Sequence, residues 1–395
     1  MQNTPINPID KDFFRRTQSL ETPSLVIDLE QVRSNYAEIS AAFPGVDVHY
    51  AMKCNPDPGI IGILHDLKSS FEIASLPEAT QLLQQGVHPD NIICMHPIKS
   101  PEFLKYLHEH QIKIMAIDCF EEVDKIAQYA PGSQIVVRLD IPNDGSVWHL
   151  DGKYGLPINE CLDVLHYIES KGLIAHGLVF HVGSQCETPS NWINALKTCE
   201  RLWSEAREQD IVLKFLSLGG GLPVQYRRSV PSLQEIGTLI MSALQNSIFL
   251  QDNDVQFAIE PGRFMVATAG TLITSVFGTA KRGSLTWAYI ETGSYNGLVE
   301  AIETDDRQFY PLIVEHTDRP LVKYHIGGPS CVSLDTPFEN VELPELRLGD
   351  RLYVLNTGAY TVSCATSFNG FRAPNVHYLH DLAIPENVLS VAVDE

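Results

Sequence analysis

Between about residue 45 and residue 260, short apolar runs alternate with longer amphipathic stretches, and this rhythm constrains the fold more than any other feature of the chain. The runs are Val46–Met52, Phe71–Ala74, Ile92–Met95, Ile112–Ile117, Ile135–Leu139, Ile174–Phe180, Leu213–Leu218 and Val255–Ile259. They are rich in Val, Ile and Phe and almost continuously apolar, as strands buried on both faces must be. Helical patterns separate them, among them Glu102–His110, Glu121–Tyr129, Asn159–Ser170, Trp192–Gln209 and Leu233–Phe249. Strand then helix, eight times over, is what a TIM-type (β/α)8 barrel requires, with a doubly wound sheet as the rival. Polar residues favour the barrel. Lys53, Ser75, Arg138, His181, Gly219 and Glu260 each stand at or just beyond the C-terminal end of a different run. Only a closed barrel gathers that many strand ends around one point.

After about residue 265 the rhythm changes. Thr271–Gly278, Leu285–Glu291, Leu321–Ile326 and Arg351–Leu355 read as strands with few helices between them. The expected organisation is a barrel over residues 28–269 and a mainly β domain, sandwich-like or barrel-like, built from residues 1–27 and 270–395. The run Ser24–Ile27 is the piece of the N-terminal segment suited to pair with it. A length of 395 residues fits two domains. The net charge of -21 argues against a nucleic-acid partner, which needs a basic surface. The N-terminus has no apolar signal-like core, and no run reaches the length that crosses a bilayer, so neither secretion nor a membrane is expected. Eight cysteines are scattered without a C-x-x-C pair or zinc-type spacing. That usage fits reduced thiols in the cytoplasm and no metal site.

Several strand ends carry reactive groups, and each has an ordinary structural reading beside the chemical one. Lys53 closes the run Tyr50-Ala51-Met52-Lys53-Cys54-Asn55. A lysine there is a surface residue, or an amine able to form an imine with an aldehyde. Gly219-Gly220-Gly221 can turn the chain or expose backbone N–H groups to a phosphate. Glu260-Pro261-Gly262-Arg263 offers a phosphate-binding arginine or a structural ion pair. His181 is a packed histidine or a catalytic one.

In combination these motifs resemble the fold-type III pyridoxal-phosphate (PLP) decarboxylases, the ornithine/lysine/diaminopimelate decarboxylase group, and within it the eukaryotic-type ornithine decarboxylases. The resemblance runs through Tyr-Ala-Met-Lys-Cys-Asn (50–55), Phe-Glu-Ile-Ala-Ser (71–75), Val-Arg-Leu-Asp (137–140), His-Val-Gly-Ser-Gln (181–185) and Gly-Gly-Gly-Leu-Pro (219–223). It continues through Glu-Pro-Gly-Arg (260–263), Gly-Pro-Ser-Cys (328–331), Gly-Ala-Tyr-Thr (358–361) and Phe-Asn-Gly-Phe (368–371), in family order. It implies an alanine-racemase-like barrel and the decarboxylation of an amino acid, with Lys53 carrying PLP as a Schiff base. It further implies that His181 stacks on the pyridine ring and Glu260 binds the ring nitrogen. Ser184, Gly220, Gly221, Gly262, Arg263 and Tyr360 would surround the phosphate, with Glu72 and Arg138 lining the site. The family often has Asp where Glu72 stands. Cys331 would serve the active site of a partner subunit in a homodimer. There the thiol is the acid that protonates Cα after CO2 leaves, an event that needs the cofactor as electron sink.

The substrate side departs from the family. An Asp usually follows the catalytic Cys in ornithine and lysine decarboxylases, and a Glu in diaminopimelate decarboxylases; here the residue is Val332. In Tyr289-Ile290-Glu291-Thr292-Gly293, Thr292 stands where eukaryotic ornithine decarboxylases place an Asp. Glu291, Asp335, Tyr360 and Phe368 are the remaining substrate-binding candidates, with Glu300 and Glu303 as further acids. The expected substrate is either a basic amino acid held by Glu291 or Asp335, or an amino acid whose side chain is neutral, larger or masked. Two rival functions stand beside decarboxylation. One is an amino-acid racemase on the same fold, which usually sets an Arg against the pyridine nitrogen. The other is a non-catalytic decarboxylase-like regulator.

Overall fold

A computed structural model describes residues 9–150, 152–251, 254–304, 306 and 309–383. The chain forms two compact units. Residues 1–8 and 384–395 of the expected β domain lie outside the described residues.

The first unit, residues 33–223 and 230–265, is a closed barrel of eight parallel strands. In chain order they are Asp47–Ala51, Ser70–Ile73, Ile92–Cys94, Ile114–Ile117, Gln134–Arg138, Ile174–Val179, Phe215–Ser217 and Gln256–Ile259. Closure comes where Ala258 and Ile259 pair with Asp47 and Val48. Each observed strand lies within one of the eight expected runs, or extends past it by a single residue. Ile93, Met95, Ala116, Val136, Val179, Phe215 and Ala258 fill the interior. Burying a side chain of that kind stabilises by about 1.5–3 kcal/mol. The outer helices are set by their caps. Ser232 and Glu235 form a reciprocal capping box at the start of Leu233–Gln245. Asp57 caps Pro58–Asp66, whose leading proline suits a first turn. Between neighbouring strand ends, the fully buried Lys99 ammonium donates to the carbonyls of His96, Pro97 and Ala116 at 3.0, 3.1 and 2.7 Å and lies 3.2 Å from Glu122 Oε1. A charge so enclosed is tolerable because every donor has an acceptor.

The second unit holds one mixed sheet of eight strands. Its path runs Leu312–Val314, Arg351–Leu355, Gly270–Arg282, Leu285–Ile290, Leu321–Gly327 and Phe338–Pro344. Ser24–Ile27 pairs antiparallel with the start of Gly270–Arg282 and parallel with Asn375–Tyr378, as its apolar run suggested. Val26, Ile273 and Tyr353 form a core against which Phe13 and Phe14 pack. Residues 224–229 also belong to this unit, although they fall between barrel strands in the sequence. The cause is local. The Tyr226 ring lies 4.0 Å from Phe309 and 5.6 Å from Tyr310, and Asn356 Nδ2 donates to Gln225 O at 3.1 Å. No helix of the described residues is long and apolar enough to cross a membrane.

Candidate active site

All six residues expected at strand ends stand at the same end of the barrel. Ser75 has a different use: it is the N-cap of helix Leu76–Gln84. Lys53 sits in the single turn Met52–Cys54 that follows the first strand. Its side chain is 47% exposed, so the amine is reachable, and Nζ lies 3.0 Å from Glu72 Oε2. Desolvation opposes the charged amine, but the Glu72 and Glu260 carboxylates outweigh it and raise the amine above the ordinary lysine value.

Glu260 is buried at the end of the last strand. Burial, then the neighbouring Glu72 charge, pushes its carboxyl up to about 7, against the lowering effects of Ser217, Lys53 and Arg138. Ser217 donates a short hydrogen bond to Glu260 Oε1, and the same hydroxyl accepts from Gly219 N at 3.1 Å. His181 Nδ1 accepts from Gly183 N at 3.1 Å, which leaves the ring proton on Nε2. Burial, with the Arg138 and Lys53 charges behind it, holds this imidazole well below the usual histidine value, so it is neutral. Arg138 ends the fifth strand with its guanidinium 5.4 Å from the Tyr154 ring, which His96 meets edge-on at 5.6 Å.

A second cluster sets bare backbone beside a guanidinium, a combination able to accept an anion. Gly219 and Gly221 have φ of +65° and +94°, open to glycine at no steric cost. A Cβ on Gly220 would stand 2.6 Å from Glu260 O, and one on Gly221 would strike Gly183 O. Bare backbone therefore forms the wall. Beside it, the buried Arg263 donates from Nη2 to Ser184 Oγ at 3.3 Å, and its guanidinium lies 4.2 Å over the Trp148 ring. Ser184 and Trp148 are register partners in a two-stranded sheet of Ser146–Trp148 and Ser184–Cys186. Gly262 packs close to Ala51 and Cys54, where a Cβ would fall 3.0 Å from Cys54 Cβ.

The remaining candidates belong to the β unit. Cys331 is exposed, and its N–H and Sγ both donate to Asn369 Oδ1 at 3.4 Å. Asp335 is 3% exposed and already occupied: Oδ1 accepts from Ser294 N at 2.7 Å and Oδ2 from Ser330 N at 3.0 Å. Glu291 Oε2 accepts from Ser275 N at 3.2 Å, and Glu291 shares a cavity of about 430 Å³ with Phe277, Pro329, Phe371 and Arg372. Glu300 is buried and accepts from Tyr310 OH at 3.3 Å. Tyr360 has a left-handed backbone, φ +57°, and Phe368 packs against Tyr295 at 5.0 Å. Thr292 is fully buried, its N–H donating to Thr274 Oγ1.

A reactive amine, a buried carboxylate, a neutral imidazole and a glycine-and-arginine anion cradle at one end of a (β/α)8 barrel define the PLP-binding barrel proteins. The comparisons agree. Residues 29–267 match the family model described as "Pyridoxal-dependent decarboxylase, pyridoxal binding domain". The chain is 35% identical over 370 residues to the lysine/ornithine decarboxylase of Selenomonas ruminantium, covering 93% of this chain and 92% of that protein. It is 30% identical to antizyme inhibitor 2 of Xenopus laevis, covering 89% and 80%. The crystal structure of the Selenomonas ruminantium lysine decarboxylase (SrLDC) in complex with PLP and cadaverine superposes with a TM-score of 0.86 at 32% identity, covering 96% of each chain. The chain belongs to the family of PLP-dependent amino-acid decarboxylases.

Two residues of these clusters have no motif behind them, and a third has a motif that does not reveal its partner. Ser217 ends an apolar strand, and its only sequence signal is its place two residues before the glycines. Trp148 lies in a segment with no recognisable pattern. Asn369 is visible as part of Phe-Asn-Gly-Phe, but nothing in that motif points to Cys331.

Proposed function

We propose that the protein decarboxylates an amino acid whose side chain ends in something other than the simple ammonium of ornithine or lysine. The observation that carries the proposal is the neutral Val332 next to Cys331, together with an Asp335 whose oxygens are both bonded to backbone. Of the expected substrate acids, Glu291 faces a cavity, and Arg372 shares that cavity with it. Losing a charged hydrogen bond to a desolvated ammonium costs about 2–5 kcal/mol, so ornithine binds poorly here.

The geometry is consistent with the roles that the resemblance implies. When bound, the cofactor supplies the electron sink that lets a bond from Cα to the carboxylate break. Lys53 is the amine that would hold its aldehyde carbon, and Glu260 would meet its ring nitrogen. A carboxylate whose proton leaves near pH 7 is poised there, because a cation at close range draws it to the ionised form. Neutral His181 offers an uncharged ring face. Gly220, Gly221, Gly262, Ser184, Arg263 and Tyr360 would take the phosphate, with Arg138 and Glu72 lining the cofactor site. Departure of CO2 leaves an electron pair on Cα, and the Cys331 thiol returns a proton there. The working unit is a homodimer in which Cys331 serves the partner's barrel. A cytoplasmic location is supported by the thiols, since none of the eight cysteines is in a disulfide.

A non-catalytic role has one observation in its favour, the likeness to antizyme inhibitor 2. Against it, Lys53, His181, Glu260, Arg263, Cys331 and Tyr360 are all present. The experiment is a CO2-release screen of the PLP-loaded protein over ornithine, lysine, arginine, diaminopimelate and amino acids with neutral or extended side chains. Borohydride reduction and peptide mapping run alongside it. The expected results are a PLP mass on Lys53, poor ornithine turnover, and improved ornithine use in Val332→Asp. Efficient ornithine turnover by the unaltered protein rejects the altered substrate. An unmodified Lys53 rejects the site.

A further inference from the structure

Cys331 is a single exposed thiol on a loop, and an acid that must deliver a proton to one carbon needs a fixed direction. Two side chains, Asn369 from the turn Phe368–Gly370 and Asp335 from the loop itself, supply it. Asn369 stands with Gly370 in consecutive left-handed conformations, φ +54° and +81°, a backbone asparagine tolerates better than most residues. That turn presents the Asn369 amide to Cys331. Its Oδ1 accepts from Cys331 N and from Sγ, each at 3.4 Å. The backbone donor settles the amide's orientation, because an N–H can bond only to the oxygen.

Asp335 holds the same loop from its other side. Its two carboxylate oxygens join Ser294 N to Ser330 N, the residue just before the thiol. Its backbone closes the turn as well: Asp335 N donates to Val332 O at 3.0 Å, and Gly328 N donates to Asp335 O at 2.9 Å. The surroundings are cut to admit the carboxylate, since a Cβ on either Gly293 or Gly328 would collide with it. This bridge is buried and charge-assisted, the stronger kind of hydrogen bond.

We infer that Asn369 and Asp335 are positioning residues that aim the Cys331 proton, Asn369 by taking the S–H bond and Asp335 by fixing the loop backbone. The inference rests on the reading of Cys331 as the acid. It also assigns Asp335 to the enzyme's own loop and not to the substrate.

The test is competitive alkylation of the full-length protein with iodoacetamide, mapped by mass spectrometry, with the exposed Cys364 as internal standard. Asn369→Gly keeps the left-handed turn and removes only the acceptor. It should increase the Cys331-to-Cys364 labelling ratio by about fivefold, the worth of one hydrogen bond. Asn369→Asp, which restores an acceptor oxygen, should bring the ratio back toward the unaltered value. Asp335→Asn replaces one acceptor oxygen by a donor and should also raise the ratio. In turnover, Asn369→Gly should reduce kcat while KM stays within about twofold, because the lost bond orients an acid and does not hold substrate. A labelling ratio unchanged in Asn369→Gly overturns the inference, whether or not Asp335→Asn folds. Labelling needs no turnover, so the outcome is separate from the fate of the proposed reaction: a shifted ratio with no CO2 release would fault the reading of Cys331 alone.

Discussion

His49 and Glu260 are buried groups of the same barrel whose protons pull stability in opposite directions. His49 is 2% exposed, and burial lowers it to about 4 against the raising effect of the Asp47 charge. The unfolded chain takes up a proton near pH 6.5 that the folded chain refuses. Its stabilising effect is therefore whole above pH 6.5 and is lost as pH falls through 4. Two to three pH units of difference correspond to about 3 kcal/mol. In His49→Phe, urea unfolding at pH 7 and pH 4.5 should show a smaller acid loss than in the unaltered protein. An identical loss in both would remove His49 from the explanation. Glu260 acts with the reverse sign, contributing below its unfolded value and losing that contribution as pH rises through about 7. At this scale, sequence alone exposes Lys53, His181 and Glu260, because a reactive side chain interrupting an apolar run is conspicuous. It does not expose the pairing of Ser217, Trp148 or Asn369. Their partners, Glu260, Arg263 and Cys331, lie 43, 115 and 38 residues away in the chain, and only the folded loops bring them together.

The glycine turn Gly219–Gly221 is the element on which cofactor affinity depends. Gly221→Ala forces a side chain into a left-handed backbone, costing about 1–2 kcal/mol, and drives its Cβ at Gly183 O. The turn must then move, and PLP affinity should fall by roughly tenfold or more, read from the visible absorbance of a PLP titration. Retained affinity would show that Arg263 and Ser184 hold the phosphate unaided. The barrel strands are legible because burial on both faces leaves an uninterrupted apolar signature, as in Ile135, Val136 and Val137. Phe338–Pro344 leaves none. Its sequence, Phe-Glu-Asn-Val-Glu-Leu-Pro, alternates polar and apolar residues around a left-handed Asn340. Ser146–Trp148 and Ser184–Cys186 are three residues each, and a pairing across 38 positions cannot be seen in runs that short. The helices Lys11–Thr17 and Leu29–Ala42 also escape the strand-helix rhythm, because both precede its first strand.

For the molecule as a whole, the sequence shows two domains but not their seams. Lys53 belongs to the barrel unit and Cys331 to the β unit, and the proposed dimer makes the pairing between them intermolecular. Lys53→Ala and Cys331→Ala should each be nearly inactive alone. Mixed and allowed to exchange subunits, they should recover roughly a quarter of the unaltered activity, because half the dimers are mixed and each carries one intact site. No recovery would place both residues in one chain's site. The loan of residues 224–229 to the β unit has its own consequence. The chain leaves the barrel after Pro223 and returns at Val230, so no single cut separates the two units. A gene fragment ending at Met265 would strand Tyr226 without Phe309 and Tyr310. Shuffling one unit of this protein against another family member's would therefore need four junctions, at 32/33, 223/224, 229/230 and 265/266.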